Sequence, residues 1–200
     1  MAITNRYVYD YKKPEISLSD NFDKYIISGN KDKKMVSLVF LVYDGDDITN
    51  IVNVLNNYNV KATFFVDNDW FSNNSKLIEE LVSKNHTIGN LSIDLDYANS
   101  AFSWMDTVLK KIYNQNVGFC YSKADNLDNI KACALKENYT IRPNVITGSK
   151  PLNDIKNNLK AGSIIALDIN SVIKRELSTI IIYIESKGYT LNSLEEHILE

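Results

Sequence analysis

The stretch MVSLVFLV, residues Met35 to Val42, indicates the fold class more clearly than any other part of the chain. It is short, continuous and apolar, which is typical of a strand buried on both faces of a parallel sheet. Apolar residues then recur at spacings of three and four, which predicts a helix with one apolar face. These residues are Ile48, Ile51, Val52 and Leu55.

The same alternation continues along the chain. We predict further strands near residues 61–66, 86–90, 117–121, 139–145, 163–167 and 189–191, and helices near residues 75–83, 98–113, 126–137, 152–159 and 172–187. Strands that alternate with helices over this length predict a parallel α/β architecture, either a barrel or an open doubly wound sheet. Periodicity alone does not separate these two.

Composition narrows the function classes. A chain of 200 residues with 44% hydrophobic content fits one domain, and its net charge is −3. Acidic and basic residues are spread along the sequence, so no electrostatic footprint indicates nucleic acid or an anionic membrane. We see no secretory signal at the start and no later run that predicts a transmembrane helix. We expect residues 1–30 to form an irregular lead-in and residues 31–200 to form the domain.

The cysteines do not indicate a metal or redox site. Cys120 and Cys133 are the only two, and they do not form a C-x-x-C pair. We therefore expect two ordinary reduced or buried thiols.

Three segments together resemble one known family. They are YNVKATFFV at Tyr58–Val66, LIEELVSKNHTIGN at Leu77–Asn90, and LKAGSIIAL at Leu159–Leu167 followed by the later KGYTL. Their order and spacing are similar to those of the polysaccharide deacetylase family, the NodB homology domain, over about residues 25–198. The resemblance implies a distorted TIM-like (β/α) barrel of about seven parallel strands, with its site at the carboxyl ends of the strands.

The resemblance also implies a metal site from which this chain departs. In active members a T-F-D-D-G strand end supplies a base and a metal ligand, and H-[ST]-x-x-H supplies two further ligands. An R-x-P arginine orients the base, and the histidine of L-H-D is the acid. In this chain Leu41 and Val42 match the two aspartates. A gapped alignment instead places residues 43–45 over F-D-G and keeps one carboxylate, Asp44.

The other three motifs have changed as well. Leu91 and Leu95 match the two ligand histidines, Cys120 matches the arginine, and Asp168 matches the acid histidine. We therefore expect neither a bound metal nor catalytic residues, with Asp44 and Asp168 as the candidates if activity remains.

The two histidines of the chain are given other roles. His86 matches a histidine common in the family and is interpreted as part of the framework. His197 lies in a final helix after the strand near residues 189–191, where we expect it to be solvated or to interact favourably with the helix C-terminus.

The sequence thus predicts an inactive polysaccharide deacetylase homologue that binds a cell-wall or spore-envelope glycan, or a protein partner. Aromatic and acidic residues that follow the strands are the candidate contacts, because aromatic rings stack on sugars. They are Asp46, Trp70, Asp94 and Trp104. The resemblance further suggests an extracytoplasmic or cell-envelope location in a bacterium.

Two alternatives stay open. The first is an active metal-dependent de-N-acetylase whose displaced ligands are Asp44, Asp46, Asp47, Asp94 and Asp168, a set of oxygen ligands that favours a harder cation than zinc. The second is a structural or regulatory assembly subunit. These aspartates also have plainer interpretations as turn or capping residues, at the helix near Ile48 or the helix near Val172.

Overall fold

The fold is built on one sheet of nine parallel strands. The computed structural model describes residues 24–92, 100–115, 117–122 and 127–199. In these residues the strands are β1 (Tyr25–Ile26), β2 (Met35–Val42), β3 (Thr63–Val66), β4 (Thr87–Ser92), β5 (Phe119–Ser122), β6 (Tyr139–Ile141), β7 (Val145–Ile146), β8 (Ile164–Asp168) and β9 (Thr190–Leu191).

Helices connect most of these strands. In the same residues they are α1 (Thr49–Asn57), α2 (Asn68–Asn73), α3 (Ser75–Ser83), α4 (Ser100–Lys111), α5 (Leu127–Ala134), α6 (Pro151–Asn158), α7 (Ser171–Ser186) and α8 (Leu194–Leu199). None of the described helices has the length and apolar character needed to cross a membrane.

The strand order is β1-β6-β5-β4-β3-β2-β8-β7, and β9 pairs with the start of β2. Side chains from β2, β3, β4, β5, β6 and β8 meet in one cluster on the inner side of the sheet. A second, larger cluster lies between the sheet and the helices. Strands that are several places apart can share an inner cluster because the sheet is curled, and the predicted distorted barrel is confirmed.

Strand β2 is buried along its whole length, as its apolar sequence predicts. Its side chains alternate between the two clusters, since successive residues of a strand face opposite sides. Val39 and Leu41 face the barrel interior. Phe40 and Val42 face the helix layer.

The structure departs from the sequence prediction at three elements. The predicted strand at residues 139–145 is two strands, β6 and β7, separated by a segment that contains Pro143, whose missing N–H cannot join a ladder. Strand β1 lies in the stretch that we expected to be irregular, where it pairs with β6. Helix α2 is short, and its residues NDWFSN show too little periodicity to predict it.

Helix α8 covers the base of the barrel, where the strands begin. Its Leu194 joins the inner cluster. His197 is fully buried, and its Nδ1 lies 2.9 Å from the Ser37 hydroxyl of β2. Its ring occupies the space that a side chain at Gly29 would need. The expectation that His197 is solvated is therefore wrong, because the last helix folds under the sheet.

Candidate functional site

Apolar side chains fill the barrel interior near the carboxyl ends of the strands. Leu41 and Leu91 match two positions of the family's metal site, and they are only 4% and 2% exposed. They belong to the inner cluster together with Phe65 and Tyr121. An aliphatic side chain has no lone pair, so neither leucine can bind a metal or accept a proton. These two positions therefore contribute to the packing of the barrel interior and provide no metal ligand or base.

Strand geometry bears on how the aspartate motif aligns. Val42 faces α1 and the helix layer, whereas Leu41 faces the interior. In the ungapped alignment the two aspartate positions therefore point to opposite sides of the sheet, and Leu41 holds the interior one. In the gapped alignment the motif falls at the end of β2, and Asp44 is the retained carboxylate.

Two predicted site residues lie outside the described residues, between positions 92 and 100. The match of Leu95 to the second ligand histidine stays a prediction. So does the assignment of Asp94 to a sugar contact.

The turn between β2 and α1 is held by its own aspartates. Asp46 Oδ2 accepts a hydrogen bond from the Tyr43 N–H at 2.8 Å. Asp47 Oδ1 accepts one from the N–H of Thr49, the first residue of α1, at 2.9 Å. Burial raises the pKa of Asp46 although the Tyr43 N–H and Lys174 oppose the shift, and the charges of Asp168 and Asp67 raise it further. These contacts support a turn role for Asp46 and Asp47, whereas the cap position of α1 is Ile48, which makes no side-chain capping hydrogen bond.

Asp67 joins two loops at the carboxyl edge of the sheet. It follows β3 directly and is 5% exposed. Its Oδ1 accepts from the Trp70 N–H at 2.7 Å and caps α2. Its Oδ2 accepts from the Asp44 N–H at 2.9 Å. One buried carboxylate thus fixes the turn after β2 against the helix after β3.

These two loops border an open groove of about 670 Å³. The groove lies beside the barrel mouth, over the ends of β2 and β3. Most of the residues that line it are of polar types, with carboxylate, amide, hydroxyl and ammonium groups that can hydrogen-bond to a ligand. The lining residues are Asp44, Gly45, Asp46, Asp47, Thr49, Asn73, Asn74, Ser75, Lys76 and Leu77.

The two tryptophans have different environments. Trp70 is fully buried, and its Nε1 donates to the Asp46 carbonyl at 2.9 Å. It has no surface for a sugar, which removes it from the candidate glycan contacts. Trp104 is 48% exposed. Its ring meets Phe71 of α2 edge-on, with the ring centroids 5.5 Å apart.

Asp168 ends β8 beside Leu41. It shares a strand face with Ala166, which belongs to the inner cluster, so it lies at the barrel mouth. Its side chain is exposed. The cap of α7 is Asn170, whose Oδ1 accepts from the Val172 and Ile173 N–H groups at 2.9 Å each. The capping interpretation of Asp168 is therefore wrong, and its carboxylate is available at the mouth.

The sequence matches the polysaccharide deacetylase family over residues 28–140. The chain belongs to this family. In fold it is similar to BA3943 from Bacillus anthracis, described as a CE4 family pseudoenzyme, with 21% identity, a TM-score of 0.78, and coverage of 98% of this chain and 80% of that one. It is also similar to the Bc1960 peptidoglycan N-acetylglucosamine deacetylase, with 19% identity, a TM-score of 0.77, and coverage of 98% and 97%.

A relative in sequence is the uncharacterized protein YlxY from Bacillus subtilis (strain 168). The two are 35% identical over 86 residues, which is 42% of this chain and 27% of that protein. The chain thus spans well under two thirds of the relative that it matches.

The donor set does not fit the metal of an active polysaccharide deacetylase. Across the described ranges, no three His, Cys, Asp or Glu side chains form a group that could hold a metal ion. His86 stands at the start of β4, where its Nδ1 accepts from the Ala62 N–H at 3.2 Å. His197 stands at the barrel base. Neither histidine can reach the strand ends, so we derive no catalytic step through a metal.

Cys120 has a structural role that the sequence did not predict. Its side chain faces away from the interior and forms a disulfide with Cys133 of α5, with the Cα atoms 6.4 Å apart. The two cysteines are buried, as expected, but they are oxidised to a disulfide and not reduced. Tyr121, the next residue, faces the interior instead. The position matched to the family's arginine is used to tie β5 to α5.

Sequence reasoning missed Asp67 and the α2–α3 side of the groove. A capping signal was present, because Asp67 stands three residues before Trp70 at the end of a buried strand. Residues 73–76 gave no signal, since polar residues at a helix junction are common on any surface.

Asp67→Ala should lower the free energy of unfolding by about 2 kcal/mol, because two backbone N–H groups lose their acceptor. Urea unfolding followed by circular dichroism measures this change. Asp69→Ala is the control, since Asp69 is exposed in the same helical turn, and we expect it to cost less than about 0.5 kcal/mol. Equal losses for the two variants would contradict the role given to Asp67.

Both histidines make stability depend on pH. Burial lowers the pKa of His86 to about 4, and nearby Lys61 adds to this shift. Burial also lowers the pKa of His197 to about 4, although the Met35 backbone opposes it in part. An unfolded histidine titrates near 6.5, so the unfolded state binds more protons between these values. Stability should therefore be full above about pH 6.5 and fall as the pH drops toward 4.

The expected slope is up to about 1.4 kcal/mol per pH unit for each histidine. Urea unfolding at about pH 7, 5.5 and 4.5 measures it. His197→Gln should flatten the dependence. A variant as steep as the parent chain would show that other groups cause the acid sensitivity.

Proposed function

We propose that the chain is a non-catalytic polysaccharide deacetylase homologue that binds a peptidoglycan-type glycan in the groove beside the barrel mouth. The proposal rests on the contrast between the barrel interior and the groove. The interior positions of the catalytic motifs are apolar and packed, whereas the neighbouring groove is open and lined mostly by polar residues. In an active enzyme the substrate binds where it reacts. In this chain the groove would bind the glycan, whereas apolar side chains fill the neighbouring barrel interior.

The chemistry of the groove suits a glycan. Asp44, Asn73, Ser75 and Lys76 line it with exposed side chains. Sugar hydroxyl and acetamide groups both donate and accept hydrogen bonds, and this lining offers both kinds of partner. Trp104 of α4 presents an exposed ring that packs edge-on against Phe71 of α2. Such a ring can stack on a sugar that extends along α2 and α4.

The fold relatives support the same class of ligand. Bc1960 is named for its action on peptidoglycan N-acetylglucosamine, and BA3943 is described as a pseudoenzyme that regains activity in a mutant. Both properties are those of the relatives. For this chain they support a wall glycan as the first ligand to test, ahead of a protein partner.

The disulfide supports an extracytoplasmic location. Cys120 and Cys133 are both fully buried and bonded to each other. Disulfides persist in oxidising compartments and are rare in a reducing cytosol. This fits a protein that meets wall glycans outside the cytoplasm.

Sedimentation with insoluble peptidoglycan tests the binding proposal. The double variant Asp44→Ala/Asn73→Ala should bind roughly tenfold more weakly, because two hydrogen-bonding side chains are lost. The control Asp128→Ala/Asn157→Ala removes the same groups from exposed positions on α5 and α6 and should bind like the parent chain. Equal binding by all three proteins, or no binding by the parent, would contradict the proposal.

The same preparations test catalysis. We expect no acetate release from N-acetylated chito-oligomers with zinc, cobalt, manganese or magnesium present. Acetate release that is lost in Asp44→Ala or Asp168→Ala would instead establish the alternative, an active de-N-acetylase that uses displaced acidic ligands.

A further inference from the structure

The fold separates charges that are mixed in the sequence. Parallel strands all begin at one edge of the sheet, so the helix C-termini and the loops leading into the strands share that amino edge. Lysines predominate there: Lys24, Lys31, Lys33, Lys34, Lys61, Lys84, Lys110, Lys111, Lys131, Lys136, Lys156, Lys160 and Lys187. The acidic residues of the same edge are Asp32, Glu80, Glu137, Glu185, Glu195 and Glu196.

The opposite, carboxyl edge carries more acidic than basic groups at the ends of β2, β3 and β8. It holds Asp44, Asp46, Asp47, Asp67 and Asp168 there, with Lys76 and Lys174 among its basic residues. The charges that are mixed along the sequence are thus separated only in the folded chain.

One part of the amino edge forms a connected basic surface, which we call the lysine patch: Lys31, Lys34, Lys156, Lys160 and Lys187, with Tyr183 and Tyr189. Lys156 Nζ and Lys187 Nζ lie 5.5 and 5.4 Å from the centre of the Tyr183 ring. Lys34 Nζ lies 6.0 Å from the centre of the Tyr189 ring. Two ammonium groups thus share the Tyr183 ring, and that of Lys34 lies near Gly188, the residue after Lys187.

The remaining two lysines extend this surface. Lys31 lies against Gly162, in the loop that also contains Lys160. All five patch lysines are exposed. Within the described ranges, none of their ammonium groups is paired with a carboxylate within 4 Å. Uncompensated like charges side by side repel one another, and a bound polyanion would relieve that repulsion.

We propose that the lysine patch binds a flexible, phosphate-bearing polyanion, at the face opposite the glycan groove. The basic residues of the lysine patch are all lysines. An ammonium group acts as a point charge and does not require the bidentate geometry with which arginine binds a phosphate. That suits a chain of repeated phosphates better than a single oriented phosphate. The patch tyrosines are covered by ammonium groups, so they offer little apolar surface for insertion into a lipid bilayer.

Binding of labelled long-chain inorganic polyphosphate, followed by fluorescence anisotropy at several salt concentrations, tests the proposal. The parent chain should bind at low salt and weaken steeply as salt rises. The triple variant Lys156→Gln/Lys160→Gln/Lys187→Gln should bind roughly 100-fold more weakly, at about fivefold for each lysine. Its salt dependence should also be shallower.

The control variant Lys150→Gln/Lys174→Gln/Arg175→Gln makes the same change in net charge at the carboxyl edge, outside the groove lining, and should bind like the parent chain. Circular dichroism verifies that both variants are folded. Equal weakening in the two variants would mean that only net charge matters and would overturn the proposal. So would a parent chain that binds phosphatidylglycerol vesicles but not polyphosphate. Peptidoglycan sedimentation should be unchanged in the patch variant, which separates this result from failure of the proposed glycan function.

Discussion

Burial of β2 on both faces is the constraint on which the site depends. The strand pairs with β3, β8 and β9, and its side chains must alternate between the barrel interior and the helix layer. Both sides are packed with apolar groups, so a carboxylate inside the strand would need a bound cation or another partner. Leu41 satisfies the packing alone. The nearest carboxylate to follow the strand is that of Asp44, which is exposed to water in the turn after β2.

Asp67 connects the turn after β2 to the loop after β3. Its two oxygen atoms join the Asp44 N–H to the N-terminus of α2, and the groove lies between the loops so joined. The base of the barrel is closed by a different device, the buried His197 on β2 and Gly29. The molecule therefore has a packed interior, an acidic groove at one edge and a lysine surface at the other.

Much of the fold was predictable because it depends on local patterns. The apolar run of β2 and the periodicity of α1, α3 and α7 determine their own elements, and the family motifs supply the barrel. Other features depend on contacts distant in sequence. The pairing of β1 with β6, the burial of His197 and the bond between Cys120 and Cys133 each require the folded chain. The changes at Leu41 and Leu91 could be read from motifs, whereas the groove and the lysine patch arise from loops brought together by the sheet.

A crystal structure of the protein soaked with an N-acetylglucosamine oligomer and manganese tests most directly our proposal that the chain binds a glycan without catalysing its deacetylation. We expect sugar density in the groove against Asp44 and Asn73, with Leu41 and Leu91 still packed and no metal at the strand ends. A metal held by Asp44 and Asp168, with the sugar acetamide directed at it, would contradict the proposal.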